Sequence, residues 1–159
     1  MIHIDNQLLD KVTEEAKASP RKRKNFNFHP TLDDPLHRML NAIEPGSYLR
    51  PHKHENPGKM ESFILLRGKL AVFEFSPSGE IVDATILSHD EGKVGVEFPP
   101  AIFHTVLSIE SGTVVYEVKN GPYSALDDKN FAEWAPAEGD AEVEDYLKKL
   151  EKYINKKIT

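Results

Sequence analysis

Hydrophobic residues near both ends of the chain recur every three or four positions, the spacing that places them on one face of an α-helix. They are Leu8, Leu9, Val12 and Ala16 near the beginning, and Val143, Tyr146, Leu147, Leu150 and Ile154 near the end. Asp5 is placed to cap the first helix and Ser19-Pro20 to end it. The pattern predicts an amphipathic helix at each end, the second of which covers a sheet edge or meets a second subunit.

Between these helices, hydrophobic positions occur in short runs rich in β-branched, aliphatic and aromatic residues, divided by glycine and proline turns. The predicted strands are residues 63–66, 69–75, 80–87, 94–98, 103–109 and 113–119. The sequence Ser76-Pro77-Ser78-Gly79 is typical of a hairpin loop. Strands at this spacing, without helices between them, predict an all-β fold built as an antiparallel sandwich or barrel.

The chain divides into three parts that we expect to form one structural domain. Residues 1–35 hold the first helix and an extended strap, residues 36–123 hold the strands, and residues 124–159 hold an irregular segment and the second helix. The strap contains Phe26 and Phe28, which predict that it packs on the barrel. A chain of 159 residues is long enough to bury one hydrophobic core.

Composition limits the possible chemistry and partners. The sequence has no cysteine, which excludes disulfides, thiolate zinc sites, iron–sulfur clusters and cysteine nucleophiles. The net charge of -6 argues against a general nucleic-acid binder, although the basic run 21–24 could meet a phosphate. Residues 1–10 lack the features of a signal peptide, and no run approaches the ~20 apolar residues of a membrane span. We therefore expect a cytoplasmic protein without nucleic-acid or membrane partners.

Three histidines and a glutamate form a candidate metal site. His52 and His54 are one residue apart, so on a β-strand they point to the same face, about 6 to 7 Å from each other. Glu61 follows, and His104 lies about fifty positions after the pair. Three imidazoles and one carboxylate suit a divalent iron, manganese, nickel, cobalt or zinc ion and leave positions open for water or substrate. The alternative is that the pair lies on the surface and the third histidine is a hydrogen-bonded core residue.

The spacing of these residues resembles the two motifs of the cupin superfamily. The matching segments are Gly46-x5-His52-x-His54-x6-Glu61-x6-Gly68 and Pro99-x-Ala101-x-x-His104. Further segments look like the WbuC-type cupin-fold metalloproteins, namely Asn25 to Pro30, Leu32 to Pro35, Arg50-Pro51-His52, Pro99 to Val106, and Glu117-Val118-Lys119 with Gly121-Pro122-Tyr123. This resemblance spans residues 20–139. It implies a single cupin jelly-roll barrel that holds one metal ion at its mouth through His52, His54, Glu61 and His104, and it implies a homodimer.

The first motif departs from the family pattern in the gap before its glutamate. Residues 55–60 make this gap longer than usual, and the added loop could reposition Glu61. Glu55 is the competing carboxylate. Because Glu55 directly follows His54, it should face away from the histidines if the strand continues. Glu61 is therefore the predicted fourth ligand.

Other polar residues are candidates for contacts with a small-molecule ligand. Arg50, two positions before His52, should share its face and could clamp a carboxylate or phosphate, or pair with a structural acid. Four alternating residues of the strap would point the same way on an extended chain, either as substrate contacts or as a hydrogen-bonded strap. These residues are Arg23, Asn25, Asn27 and His29.

Two further candidates, Lys119 and Tyr123, lie beside the turn after the last strand. The resemblance places them at the mouth of the pocket, whereas an exposed lysine is the simpler interpretation of the sequence. His29, Lys119 and Tyr123 are the candidate catalytic acids or bases. His37 has no nearby companion in the sequence, so we expect it in solvent or in a local hydrogen bond.

The sequence thus favours a metal-dependent cupin enzyme, of isomerase, epimerase or oxygenase type, that acts on a small polar metabolite. The resemblance implies a sugar or nucleotide sugar of surface polysaccharide biosynthesis. The alternative is a non-catalytic module that binds a sugar or a carboxylate with the help of the metal. A fold of this kind supports many reactions, so fold and metal together do not name one.

Overall fold

The computed structural model describes residues 1–124 and 129–158 of the chain. Within these ranges two helices, α1 (Asn6–Ala18) and α2 (Val143–Ile158), flank ten strands. The strands are β1 (Arg23–Asn27), β2 (Leu36–Ile43), β3 (His52–Lys53), β4 (Glu61–Arg67), β5 (Leu70–Phe75), β6 (Ile81–Leu87), β7 (Gly95–Phe98), β8 (Phe103–Ser108), β9 (Thr113–Asn120) and β10 (Asn130–Phe131).

The strands form two five-stranded antiparallel sheets. The first has the order β1-β2-β9-β4-β7 and the second the order β10-β3-β8-β5-β6. One buried core cluster takes residues from both sheets, including Phe63 and Val115 from the first and Val72 and Val106 from the second. The inner faces of the two sheets therefore share one hydrophobic core, and the predicted antiparallel two-sheet architecture is confirmed.

Helix α1 packs on the outer face of the first sheet. Asp5 caps it as predicted, because its Oδ1 accepts a hydrogen bond from the Leu8 amide at 3.0 Å. The buried residues Val12 and Ala16 join Leu40 and Val114 in a second core cluster. Burial of this stripe, rather than intrinsic helix propensity, is what stabilises so short a helix.

Helix α2 packs on the outer face of the second sheet, where Leu150 and Ile154 join Phe73 and Leu107 in a third cluster. The apolar stripe that could have met a second subunit thus lies against the chain itself. Resemblance alone still supports the expected homodimer. Neither helix in the described part of the chain is long and apolar enough to cross a bilayer.

The strap is more regular than its sequence predicts. Its residues Arg23–Asn27 form strand β1, which pairs with β2 at the edge of the first sheet. The Phe28 ring packs on Phe26 and Tyr116, with centroids 5.2 and 5.7 Å apart. Strands β3 and β10, of two residues each, are too short for any hydrophobic alternation to reveal them.

Candidate metal centre and its cavity

The four predicted metal ligands meet between the two sheets. His52 in β3 is paired directly with His104 in β8, and their ring centroids are 4.7 Å apart. His54 follows β3, and Glu61 begins β4 in the opposite sheet. All four side chains are buried, and one potential ligand atom from each lies within 4.8 Å of the others. The fold therefore brings together residues that are up to 52 positions apart in the sequence.

Backbone carbonyls set the orientation of two of the imidazoles. His52 Nδ1 lies 3.0 Å from the Arg50 carbonyl, and His104 Nδ1 lies 2.9 Å from the Ile102 carbonyl. A ring nitrogen beside a carbonyl oxygen must carry the proton, so the neutral ring presents its Nε2 lone pair to the centre. Burial, and then the nearby charge of Lys129, lower the pKa of His52 well below its ordinary value. The neutral imidazole that a metal requires is thus the favoured form.

The remaining contacts fit a cation at this point. His52 Nε2 is buried and has no hydrogen-bond partner among the described residues. Glu61 Oε2 lies 2.8 Å from His104 Nε2 and 3.4 Å from His54 Nε2. Because His104 already carries a proton on Nδ1, the close approach of its Nε2 to a carboxylate requires a further proton or a metal ion between them. The donor set of three nitrogens and one oxygen suits a divalent transition metal.

Glu61 remains ionised in this surrounding. Burial alone would raise its pKa, but hydrogen bonds with His104 and His54 outweigh burial and hold the pKa well below its ordinary value. The competing carboxylate, Glu55, lies outside the cluster and pairs with Lys53 at 2.6 Å. The structure therefore places Glu61, and not Glu55, among the histidines.

The loop formed by residues 55–60 is held at both ends, which explains how Glu61 reaches the cluster despite the long gap. The His54 carbonyl accepts a hydrogen bond from the Ala101 amide at 3.0 Å. The buried Lys59 ammonium donates to the Pro122 carbonyl, and the Met60 amide donates to Asn120 Oδ1 at 3.0 Å. The extra residues thus bulge outward between two fixed points.

Replacing Lys59 with methionine should weaken metal binding without removing any ligand. The change keeps most of the side-chain volume but removes the hydrogen bond to Pro122, so Glu61 is less firmly placed. We expect the affinity for zinc to fall about ten- to hundredfold, as for the loss of other groups that orient metal ligands. Competition with a chromophoric chelator measures this affinity. Glu55→Gln serves as the control in the same loop, and equal affinity in both variants would refute the anchoring role of Lys59.

A cavity of about 640 Å³ adjoins the cluster, and His52 and Glu61 form part of its wall. Strands β1, β2 and β9 and the segment around β10 supply the other walls. Six cationic and three acidic side chains of the described residues line it, namely Arg21, Arg23, Lys24, Arg50, Lys119 and Lys129, and Glu61, Glu117 and Glu138. The cavity is therefore rich in positive charge, although the whole chain carries -6.

The four predicted strap residues all line this cavity. Asn25 and Asn27 are exposed, and Asn25 Nδ2 donates to Asn27 Oδ1 at 2.7 Å. Arg23 donates to the Tyr48 carbonyl at 2.7 Å. His29 is buried, and its Nδ1 lies 3.1 Å from the carbonyl and 3.2 Å from the amide of Arg38. The strap is thus hydrogen-bonded and also lines the cavity, and contact with a substrate stays a prediction for these residues.

Arg50, Lys119 and Tyr123 also line the cavity. No acidic side chain within residues 1–124 and 129–158 pairs with Arg50. Its Nε and Nη2 both donate to the Ala132 carbonyl, at 3.1 and 2.8 Å. Lys119 is buried and pairs across the sheet with Glu61, so the expectation of an exposed lysine is wrong. Tyr123 is 40% exposed and lies at the rim.

Sequence reasoning missed Glu117, which is buried and lines the cavity. Burial, and then the charge of Glu61, raise the pKa of the Glu117 carboxyl to about 8. Asn41, also missed, donates a hydrogen bond to it. The available signal was the period of two along β9, which places Glu117 and Lys119 on the same face.

Of the two expectations for His37, the local hydrogen bond is confirmed and the position in solvent is wrong. This residue is buried, and its ring stacks on His29 with centroids 4.1 Å apart and planes 8° apart. His37 Nε2 donates to the Leu32 carbonyl at 3.0 Å. His37 pairs with Lys119 across β2 and β9, a register that the sequence alone does not reveal.

The chain matches a protein family model. The model of a domain of unknown function (DUF6016) matches residues 4–87, just over half of the 159 residues. The chain belongs to this family. The matched part of the DUF6016 chain holds His52, His54 and Glu61, whereas His104 lies beyond it. A search of curated protein sequences gives no significant match.

Several solved structures resemble the DUF6016 chain. CapF from Staphylococcus aureus, a capsular polysaccharide assembling protein, matches with a TM-score of 0.55 and 23% identity over 69% of this chain and 29% of CapF. KdgF from Halomonas sp. matches with a TM-score of 0.50 and 16% identity over 65% of this chain and 81% of KdgF. Oxalate decarboxylase from Bacillus subtilis matches with a TM-score of 0.51 and 15% identity over 69% of this chain and 27% of the enzyme. The DUF6016 chain thus spans less than a third of CapF and of oxalate decarboxylase.

At these identities the likenesses show the fold alone, and they confirm the predicted all-β cupin jelly roll with a helix at each end. The fold and the four-residue cluster together support a metal-binding cupin. Membership of the WbuC type stays a prediction, because the matching family model is DUF6016.

Proposed function

We propose that the protein is a metal-dependent cupin enzyme, of isomerase, epimerase or oxygenase type, that acts on a small anionic and hydroxylated metabolite. A sugar or nucleotide sugar of surface polysaccharide biosynthesis is the substrate class. The observation that carries this proposal is the continuity of the buried cluster with the polar cavity through His52 and Glu61. A purely structural ion would not need such an opening.

The charge of the cavity favours an anionic substrate. Cationic side chains outnumber carboxylates by six to three along its described walls, and one of the carboxylates, Glu61, belongs to the metal cluster. Lys119 is buried beside that cluster. Partial exclusion of water strengthens its attraction for an anionic oxygen.

The amides of the cavity favour a hydroxylated substrate. Asn25 and Asn27 lie on the edge strand β1, and Asn41 lies beside them on β2. Each amide offers both hydrogen-bond donors and an acceptor, as neighbouring hydroxyl groups require. Phe131 lies near the metal side, with its ring centroid 6.2 Å from that of His52, and offers an apolar face to a sugar ring.

These positions suggest a role for each residue of the site. His52, His54, Glu61 and His104 would hold the metal, which supplies a Lewis acid for a substrate oxygen. Lys119 Nζ binds and orients the anionic oxygen next to it. His29 Nδ1 contacts the backbone of Arg38, so His29 would act on a ligand through Nε2. Tyr123 at the rim can donate from its hydroxyl or limit the entry of water.

CapF, by its name, assembles capsular polysaccharide, which agrees with the proposed substrate class. The likeness to CapF shows only the fold. The residues of the cavity support an anionic and hydroxylated substrate, and the resemblance to the WbuC type supports the link to surface polysaccharide biosynthesis. We also propose that the protein acts in the cytoplasm as a homodimer, without nucleic-acid or membrane partners. Light scattering that detects only monomers would contradict the dimer.

The decisive experiment begins with protein purified without chelator. Anomalous scattering from its crystals would identify the metal, and a panel of sugar phosphates, nucleotide sugars and keto acids would test turnover. Oxygen uptake with iron(II) would select the oxygenase type, whereas anaerobic turnover with several divalent ions would select the isomerase type. If the protein retains one ligand tightly and turns over none of the panel, it is a binding module and not an enzyme.

Replacing Lys119 with methionine should preserve the metal and weaken substrate binding. The loss of a charge-assisted hydrogen bond predicts affinity about tenfold lower for the panel compound that the native protein binds best. Isothermal titration measures this affinity, and metal analysis checks the cluster. Lys69, which pairs with Asp90 and Glu110 away from the cavity, provides the control variant Lys69→Met. Equal affinity in the two variants would remove Lys119 from the binding site.

A further inference from the structure

At one end of the cavity, two arginines converge on a single carboxylate. Arg21 donates from Nε and Nη2 to the two oxygens of Glu138, each at 3.0 Å. Arg23 donates from Nη2 to the Oε1 atom of the same glutamate. All three side chains line the cavity that also contains His52 and Glu61. Among the described side chains of this bridge, two guanidinium groups therefore share one carboxylate.

The two sides of this bridge differ in how firmly they are held. Arg23 is only 15% exposed, and its Nη1 donates to the Tyr48 carbonyl at 2.7 Å and to Ser47 Oγ at 3.4 Å. Glu138 is 39% exposed and belongs to the irregular segment between β10 and α2. The arginine is therefore fixed in position, and the glutamate is the partner that can turn away at low cost.

The bridge is not needed to attach that irregular segment to the barrel. Tyr48 Oη donates to the Pro136 carbonyl at 2.8 Å, and Arg50 donates to the Ala132 carbonyl at 2.8 Å. Trp134 Nε1 donates to the Pro77 carbonyl at 3.1 Å. Three contacts already hold the segment on both sides of Trp134, so a purely structural role would make Glu138 redundant.

The geometry at Glu138 is that of a bound oxyanion. A guanidinium group forms paired hydrogen bonds with a carboxylate or a phosphate in the same planar arrangement. A phosphate ester carries up to two negative charges and three free oxygens, so it would compensate both arginines, which a single carboxylate does not. Within the basic run 21–24, residues Arg21 and Arg23 thus have a defined role.

The distance to the metal centre suits one ligand that reaches both ends. The Tyr48 carbonyl anchors Arg23, and His52 is four positions after Tyr48 in the sequence. Even a fully extended chain of that length spans at most about 14 Å. Since both ends line one cavity of about 640 Å³, a sugar at the metal and a phosphate group at the arginines can belong to the same molecule.

We propose that Arg21 and Arg23 bind the phosphate or diphosphate group of the substrate, and that Glu138 takes its place when the site is empty of ligand. This assignment rests on the proposed function and narrows its substrate class to phosphorylated or diphosphate-linked sugars. Binding exchanges the Glu138 carboxylate for the phosphate on both guanidinium groups, while Arg23 keeps its contact with Tyr48.

Inorganic pyrophosphate, titrated calorimetrically into the metal-loaded protein, tests the exchange. Glu138→Gln should bind pyrophosphate about tenfold more tightly than the native protein, because an uncharged amide competes less well for the arginines. Arg23→Met and Arg21→Met should each bind about tenfold more weakly. Arg67→Met is the matched control, since Arg67 pairs with Asp10 away from the cavity, and its affinity should equal the native value.

Misfolding cannot raise the pyrophosphate affinity of Glu138→Gln. This variant therefore tests the proposal even if an arginine variant loses binding because it misfolds. Unchanged or weaker binding by Glu138→Gln would overturn the proposal. The double variant His52→Ala with His54→Ala separates this site from the metal, and it should keep its pyrophosphate affinity. Loss of binding there would place the anion on the metal and overturn the assignment to the arginines. If the native protein binds no metal but the arginine effects hold, the proposed function fails and the anion site stands.

Discussion

Replacing His52 and His54 together with alanine should abolish stoichiometric metal binding and leave the β fold largely intact. The double change removes two of the four side chains whose ligand atoms lie within 4.8 Å of one another. We expect the metal affinity to fall by at least about a hundredfold, the upper end of the loss caused by changes outside the ligand shell. The hydrophobic core should survive, because its buried cluster is formed by other residues.

Metal analysis of protein purified without chelator measures this loss, and circular dichroism checks the fold. His89→Ala is the control, because His89 is exposed and lies outside the cluster. Retention of one metal ion per chain in the double variant would contradict the assignment. A double variant that loses both metal and β structure would instead show that the metal contributes to folding.

The sequence predicts this site well because its information is local. The spacing of His52 and His54 fixes a common face on an extended chain, and the proline turn before His104 marks the start of another strand. Short runs of β-branched, aliphatic and aromatic residues between turns likewise predict the strands of the core. Both signals are carried by residues that are neighbours along the chain.

The parts that the sequence does not reveal depend on contacts between distant residues. Lys119 is buried because β9 lies between β2 and β4, where it pairs with His37 and Glu61. The local sequence around Lys119, beside a predicted turn, does not indicate that the side chain is buried. Glu117 lies two residues before Lys119 on the same face of β9 and was missed for the same reason. Pairing of strands that are far apart in sequence therefore decides which charged residues enter the cavity.

The position of Glu61 shows a similar limit. Its long preceding loop made the residue the least certain ligand from the sequence. The contact that fixes the loop joins Lys59 to Pro122, 63 positions away, and no local pattern predicts it. The spacing of the histidines thus predicts part of the metal centre, whereas a long-range hydrogen bond places its fourth ligand.

Replacing Gly121, which precedes Pro122, with alanine should destabilise the protein strongly. A methyl group on Gly121 would overlap the carbonyl oxygen of Asp34 and lie 2.9 Å from His37 Cδ2. The backbone cannot easily move apart, since the Gly121 amide donates to the Pro35 carbonyl at 2.9 Å. Overpacking of this kind costs about 3 kcal/mol, which corresponds to a melting temperature lower by about 6 to 12 °C for a domain of this size.

Gly121→Ala should also weaken metal binding, because the displaced turn contains Pro122, whose carbonyl anchors Lys59. Differential scanning calorimetry and zinc affinity report the two effects. Gly92→Ala is the control: Gly92 has a φ of +70° and no atom within 4 Å of an added methyl group, so it tests backbone strain without a clash, at about 1 kcal/mol. It should leave zinc affinity unchanged. Equal stability of the two variants would show that the turn yields, and unchanged zinc affinity in an equally folded Gly121→Ala would show that Glu61 is placed without the Lys59 anchor.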